Sequence, residues 1–236
     1  TSVSGLISKY EKPFDSKTIA ARVAKKEGVS TETILEKWEK NKNYSCHKGS
    51  EFHLHVENFL ERRVVPIDKE AFVNFMSPKG ELFPCEESDI ENYYKEMAIL
   101  IRNFRNFYEW WKEDHILIKS EFVIGDKEAM ICGTIDNLSY NKKTKEFVIF
   151  DYKTNKKIER KNSYGEVFLK PFDHISKCEH TKYSFQLSLY SLIFERNSPF
   201  KVNTSYIVWV AGENDYELIS PIDLKKEATI MLLNGK

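Results

Sequence analysis

The sequence predicts an α/β fold, and three observations carry that reading. Apolar residues keep helical spacing through the first half, the period changes near residue 116 to runs rich in β-branched and aromatic residues, and a helical pattern returns near 178 before two further strands. At 236 residues, 41% hydrophobic and 14% aromatic, the chain has enough apolar material for a real core, which excludes global disorder.

Residues 16–40 read as two short helices: Ile19, Ala20, Val23 and Ala24 keep the spacing, Gly28 breaks it, and Ile34, Leu35 and Trp38 resume it. A third helix is predicted from Ser50 as N-cap, turning Phe52, Val56, Phe59 and Leu60 inward and ending before Pro66. Pro78, Gly80 and Pro84 mark 76–87 as a loop. Ser88 with Glu91 has the form of a capping box and opens the longest helix, to 114, in which Ile90, Tyr94, Met97, Ile101, Phe104, Tyr108 and Trp111 alternate spacings of four and three. Strands are expected at 116–124, 129–140 and 146–153, separated by Gly125-Asp126 and a polar run from Asn141 to Lys145. A helix over 178–196, strands near 203–211 and 215–220, and a terminal helix from about 222 complete the order.

Composition removes several function classes. No run of 18 apolar residues occurs, and charges stand where a signal peptide needs an apolar stretch, so an intracellular protein without a membrane partner is expected. The chain begins at Thr1, which points to a tag, a pro-segment or further domains having been cut away. Lys plus Arg equals Asp plus Glu at 36 each, so a nucleic-acid partner must be read from local patches and not from net charge. Cys46, Cys85, Cys132 and Cys178 lack the short C-x2-C pairs of zinc or iron-sulfur sites, and reduced, mostly buried thiols are expected.

The residues with chemical potential gather in the second half. In Phe147 to Lys153 an apolar strand ends in Asp-x-Lys, and strand alternation puts Asp151 and Lys153 on one face. An ordinary surface ion pair would carry the same pattern. Gly133-Thr134-Ile135-Asp136 lies fifteen positions before Asp151, and a tight hairpin places Asp136 roughly opposite it. Like charges in that arrangement either stay solvated or gather a divalent cation, and Mg2+ prefers carboxylate oxygens and water. His53 shares a helix face with Glu57, and Gln186 shares one with Tyr190; singly, the first reads as a structural histidine and the second as a packing pair. A zinc cluster of His47, His53 and His55 lacks a geometry that one helix could provide. Lys156, Lys157, Arg160 and Lys161, against the single Glu159, form a basic loop suited to phosphate contact or simply to solvent. Phe107 and Trp110 fall off the long helix's main stripe, where base stacking and packing explain them equally well.

Taken in order, Gly49-Ser50-Glu51-Phe52-His53, Glu121, Gly133-Thr134-Ile135-Asp136, Asp151-Tyr152-Lys153-Thr154 and Gln186-Leu187-Ser188-Leu189-Tyr190 resemble the PD-(D/E)xK nuclease superfamily. Within it they look like the RecB-like exonuclease branch, which includes phage-type nucleases and the mitochondrial genome maintenance exonuclease. The resemblance covers about 45–196. It implies a restriction-endonuclease-like core, a mixed sheet flanked by helices, within a single nuclease domain over 1–236. The core would be about 45–65 and 115–220, with a helical N-terminal region at 1–44 and a helical insertion at 66–114. By the same resemblance His53, Asp136, Asp151 and the Tyr152 backbone carbonyl would bind one or two Mg2+ or Mn2+ ions. Lys153 would orient the attacking water, Glu121 would hold a metal-bound water, and Gln186 and Tyr190 would border the scissile region. The last cysteine, Cys178, precedes the Gln/Tyr segment, so the iron-sulfur cluster of some relatives is not expected. The implied activity is hydrolysis of DNA, at ends or in single strands, in repair, recombination or replication. The alternatives are a non-catalytic DNA-binding or scaffold module on the same fold, or a nuclease directed at RNA.

Overall fold

A computed structural model of the chain describes residues 1–63, 66–76 and 85–234. In chain order these form α1 (Val3–Ser8), α2 (Ser16–Glu27), α3 (Thr31–Leu60), α4 (Lys69–Met76), α5 (Glu87–Asp114), β1 (His115–Asp126), β2 (Ile131–Asn141), β3 (Glu146–Lys153), α6 (Glu179–Arg196), β4 (Val202–Trp209), β5 (Glu217–Ile219) and α7 (Lys225–Asn234). The chain divides into two compact units, Pro13–Ile101 and a second formed by Thr1–Lys12 with Arg102–Lys236, the boundary falling within α5. Most of the loop expected at 76–87 lies outside the described residues.

The larger unit contains the sheet, in the order β1-β2-β3-β4-β5. Its pairings are antiparallel except β3 with β4, which run parallel. A parallel pair needs a crossover, and α6 supplies it. Phe185, Leu187, Leu189 and Ile193 of α6 join Ile135, Leu138, Ile149 and Ile207 of the sheet in one core, and α1 and α7 pack onto the same helix. Because α6 is covered on several sides, its hydroxyls are buried, and each is satisfied: Ser184 and Ser191 donate to carbonyls one turn back, and Ser188 accepts from Leu224 N–H. Residues of the same unit from the end of α5 pack with β2 and β3. Phe107 lies edge-on to Phe150 and Tyr152, and Trp111 Nε1 donates to Ser139 Oγ at 3.1 Å. A mixed sheet flanked by helices is the layout expected of a restriction-endonuclease-like core.

The helical unit packs α2 on α3 through Ala20, Ala24 and Ile34. Gly28, at φ 69°, closes α2 in the left-handed conformation that glycine adopts without a Cβ penalty. Ser30 then caps α3, accepting from Thr33 N–H at 3.1 Å. Here the structure departs from expectation, since α3 runs unbroken to Leu60 and Ser50 lies inside it rather than at its start. Gly49 alone costs a helix only about 1 kcal/mol, too little to interrupt thirty residues that contain no proline. Phe72 of α4 stacks on Tyr93 at 4.1 Å, with Tyr44 and His47 edge-on or tilted around them. His47 is therefore part of an aromatic cluster.

Two further expectations need correction. The helix α5 starts at Glu87, so Ser88 lies inside its first turn, and Asp89 reaches back, its Oδ2 accepting from Glu86 N–H at 3.1 Å. Its buried stripe is Tyr93, Met97, Leu100, Phe104, Phe107 and Trp111, which keeps the spacing but shifts alternate members by one residue. Tyr94 is 36% exposed while Phe107 is 1% exposed, so Phe107 has no free face for a base. Trp110 is exposed on one side and tilts against Phe107 and His115 on the other. The cysteines are also less buried than expected: only Cys178 is buried, while Cys46 and Cys132 are exposed.

Phe107→Ala should lower the unfolding free energy by about 3–5 kcal/mol in denaturant melts. Tyr94→Ala should lower it by under about 1 kcal/mol, and equal losses would contradict the shifted stripe.

Candidate functional site

Register across β1, β2 and β3 creates the site. The pairs Ser120↔Asn137 and Phe122↔Ile135 bracket Glu121 and Asp136, and one step beyond Asn137↔Phe150 the same register faces Asp136 to Asp151. Three carboxylates thus stand in a row on adjacent strands, with acceptor oxygens of Glu121 and Asp136 within 4.8 Å of each other. Asp136 and Asp151 meet as the sequence predicts.

Glu121 reaches this row through an irregularity. The register of β1 shifts between Leu117 and Lys119, with Ile118 as the extra residue. Without that bulge Ser120 would face Asp136. Glu121 itself has φ 45°, a left-handed conformation that costs a non-glycine residue roughly 1–3 kcal/mol. At the same level the ladder between β2 and β3 gives way to a side-chain bond: Tyr152 N–H donates to Asp136 Oδ2 at 2.7 Å. The Tyr152 phenol points to the opposite face of the sheet, where its oxygen accepts from Asn137 Nδ2.

Lys153 shares the face of Asp151, as alternation requires, and its Nζ lies 2.5 Å from Asp151 Oδ2. With side chains 14% and 1% exposed, this is no surface ion pair. Burial opposes the ammonium charge, but Asp151 and Asp136 outweigh it and hold the Lys153 pKa above its usual range. Lys153 also donates to Gln186 Oε1 at 3.3 Å, and Gln186 Nε2 donates to the Tyr190 hydroxyl at 2.8 Å. Burial and then the nearby Asp151 charge raise the Tyr190 pKa, so the phenol keeps its proton. Gln186 and Tyr190 are thus one turn of α6 laid over the end of β3, and more than a packing pair.

Gly133 explains how Tyr190 comes so close to the sheet. A Cβ there would lie 2.6 Å from Tyr190 Cε1 and 3.1 Å from Val3 Cγ2, so only glycine admits the ring.

His53 is on α3 in the helical unit, half-buried with its ring edge-on to Phe52. The basic loop is exposed at Lys156, Lys157, Arg160 and Lys161 and anchored by the buried Ile158. Within it Lys157 pairs with Glu159 and Arg160 with Glu217. Sequence reasoning missed Tyr183, whose ring centroid is 4.6 Å from Lys153 Nζ. Its position three residues before Gln186 on one helix face was the available signal.

No family pattern matches the chain, and no curated protein sequence matches it. Among solved structures, the chain is similar to a crystal structure from Eubacterium rectale provisionally named an exonuclease. The two are 13% identical with a TM-score of 0.41, over 99% of this chain and 77% of the other. No helix among the described residues is long and apolar enough to cross a membrane.

Gly133→Ala should destabilise the fold by about 1–3 kcal/mol through overpacking. Melts of Gly133→Ala, Tyr190→Leu and the double variant should show a favourable coupling of about 0.5–3 kcal/mol, because removing the ring frees the space. Strict additivity would contradict the close approach.

Proposed function

We propose that the chain is a divalent-metal-dependent nuclease that hydrolyses phosphodiester bonds in DNA, acting at ends or on single strands. The observation that carries the reading is the row Glu121, Asp136 and Asp151 with Lys153 beside its last member. These three carboxylates gather beside the Lys153 ammonium, with Asp136 and Asp151 buried. Hard oxygen donors so arranged fit Mg2+ or Mn2+. The sequence resemblance adds the Tyr152 carbonyl and His53 as further ligands, and the support for His53 is that resemblance.

When bound, such an ion eases deprotonation of an attacking water and offsets charge on the phosphoryl and leaving oxygens. The chain's own groups do the rest. Lys153 holds a permanent cation where charge develops on the phosphate. Gln186 ties that cation to α6, and the protonated Tyr190 phenol is a donor at the rim. The exposed Lys156 and Lys161 offer contacts to the phosphate backbone beyond the site. End and single-strand preference rests on the family resemblance and on the absence, among the described residues, of any helix that sequence analysis marks as a groove reader.

The test is incubation of end-labelled single- and double-stranded DNA and RNA, linear and circular, with Mg2+, Mn2+ or EDTA. Linear DNA should be cut with either metal and not in EDTA, and closed single-stranded circles should be cut far more slowly. Lys153→Ala should lose about two to three orders of magnitude in rate while retaining DNA affinity in Ca2+. Asp151→Asn should abolish turnover. A parent that binds DNA but cuts nothing would favour the binding-module reading, and selective cutting of RNA would redirect the substrate assignment.

A further inference from the structure

We infer that Tyr183 is a positioning residue that seats the Lys153 ammonium, an inference that rests on the nuclease reading of the same site. Three groups surround Lys153 Nζ: Asp151 Oδ2 at 2.5 Å, Gln186 Oε1 at 3.3 Å and the Tyr183 ring centroid at 4.6 Å. The last distance is well within reach of a cation–π contact. A lysine is a point charge on a flexible four-carbon stem, so a single partner cannot fix where it points.

The Tyr183 ring is itself held. Its hydroxyl donates to Asn155 Oδ1 at 2.8 Å, and the Asn155 carbonyl accepts from Trp209 Nε1 at 2.7 Å. Tyr183 and Gln186 project from one face of α6, three residues apart, so one rigid helix presents both neutral partners to the amine. Asn155 follows β3 and leads into the basic loop at Lys156, which ties the same ring to the start of that loop.

The neutral partners have a distinct purpose. Asp151 is also proposed as a metal donor, so its hold on Lys153 weakens when that carboxylate is shared with a divalent cation. The ring and the amide keep their contacts with the amine in both states. Lys153 then stays at the place where charge develops on the phosphate, instead of following Asp151 or swinging into solvent.

The experiment compares Tyr183→Phe, which keeps the ring, with Tyr183→Leu, which removes it. On a linear DNA that the parent cuts, Tyr183→Leu should lose about tenfold or more in kcat with KM little changed, and Tyr183→Phe should recover most of the loss. A second reading needs no catalysis. The Lys153 ε-methylene protons should resonate upfield of other lysines in the parent and in Tyr183→Phe, under the ring current, and should move to the ordinary position in Tyr183→Leu. Lys153→Ala assigns the signal. Parental kcat in Tyr183→Leu, or an unmoved ε-methylene signal, would overturn the inference. If the parent cuts no nucleic acid, the nuclease reading fails and the ring-current comparison decides the seat by itself.

Discussion

Repulsion among carboxylates on neighbouring strands is the constraint around which the sheet unit is arranged. Two unit charges 4.8 Å apart, the limit for the Glu121 and Asp136 oxygens, repel by about 3.5 kcal/mol at an effective dielectric near 20. Asp151 adds a third charge at the same level. A fold that collects such a row must offset it, and this one does so with two kinds of positive group. Tyr152 donates its backbone N–H to Asp136, and Lys153 brings its ammonium to Asp151. The left-handed Glu121 adds backbone strain to the same row. Strain and like charge at one place are costs to stability, and the proposed cation site is what would offset them.

The parallel pairing of β3 and β4 is what brings the remaining parts together. A crossover helix must return the chain to the start of β4, and α6 does so across the sheet face that carries Asp151 and Lys153. Tyr183, Gln186 and Tyr190 sit on that helix at spacings of three and four, so about two turns deliver a ring, an amide and a phenol to one place. Gly133 on β2 is the matching concession in the sheet, since any larger residue would lift Tyr190 away. Asp126 closes the assembly at the other end of the helix: it accepts from Ala129 N–H in the β1–β2 turn and pairs with Arg196 at 2.6 Å.

What the sequence made legible follows from which interactions are local. Alternation along β3 predicts that Asp151 and Lys153 share a face, and hairpin geometry predicts that Asp136 meets Asp151; both depend on chain spacing alone. The Gln186 and Tyr190 pairing is helical spacing and was equally readable. The bulge at Ile118 was not, because an extra residue in a strand is set by tertiary register and leaves no mark in composition. It decides whether Glu121 or Ser120 joins the row. Burial was the other hidden quantity: Phe107 looked available because the α5 stripe can be read in two phases one residue apart, and only packing against Phe150 and Tyr152 selects between them. The continuity of α3 from Thr31 through Ser50 was hidden for a related reason, since a favourable N-cap at Ser50 means nothing when the helix is already propagating.

The central claim is that the carboxylate row binds a divalent cation, and equilibrium titration with Mn2+ read by electron paramagnetic resonance tests it most directly. The free-ion signal should be quenched with saturation at one or two ions per chain, Mg2+ should compete, and Asp136→Asn should weaken the binding by at least about tenfold. A parent protein that leaves the free Mn2+ signal unchanged at millimolar metal, or an Asp136→Asn variant that binds as tightly as the parent, would contradict it.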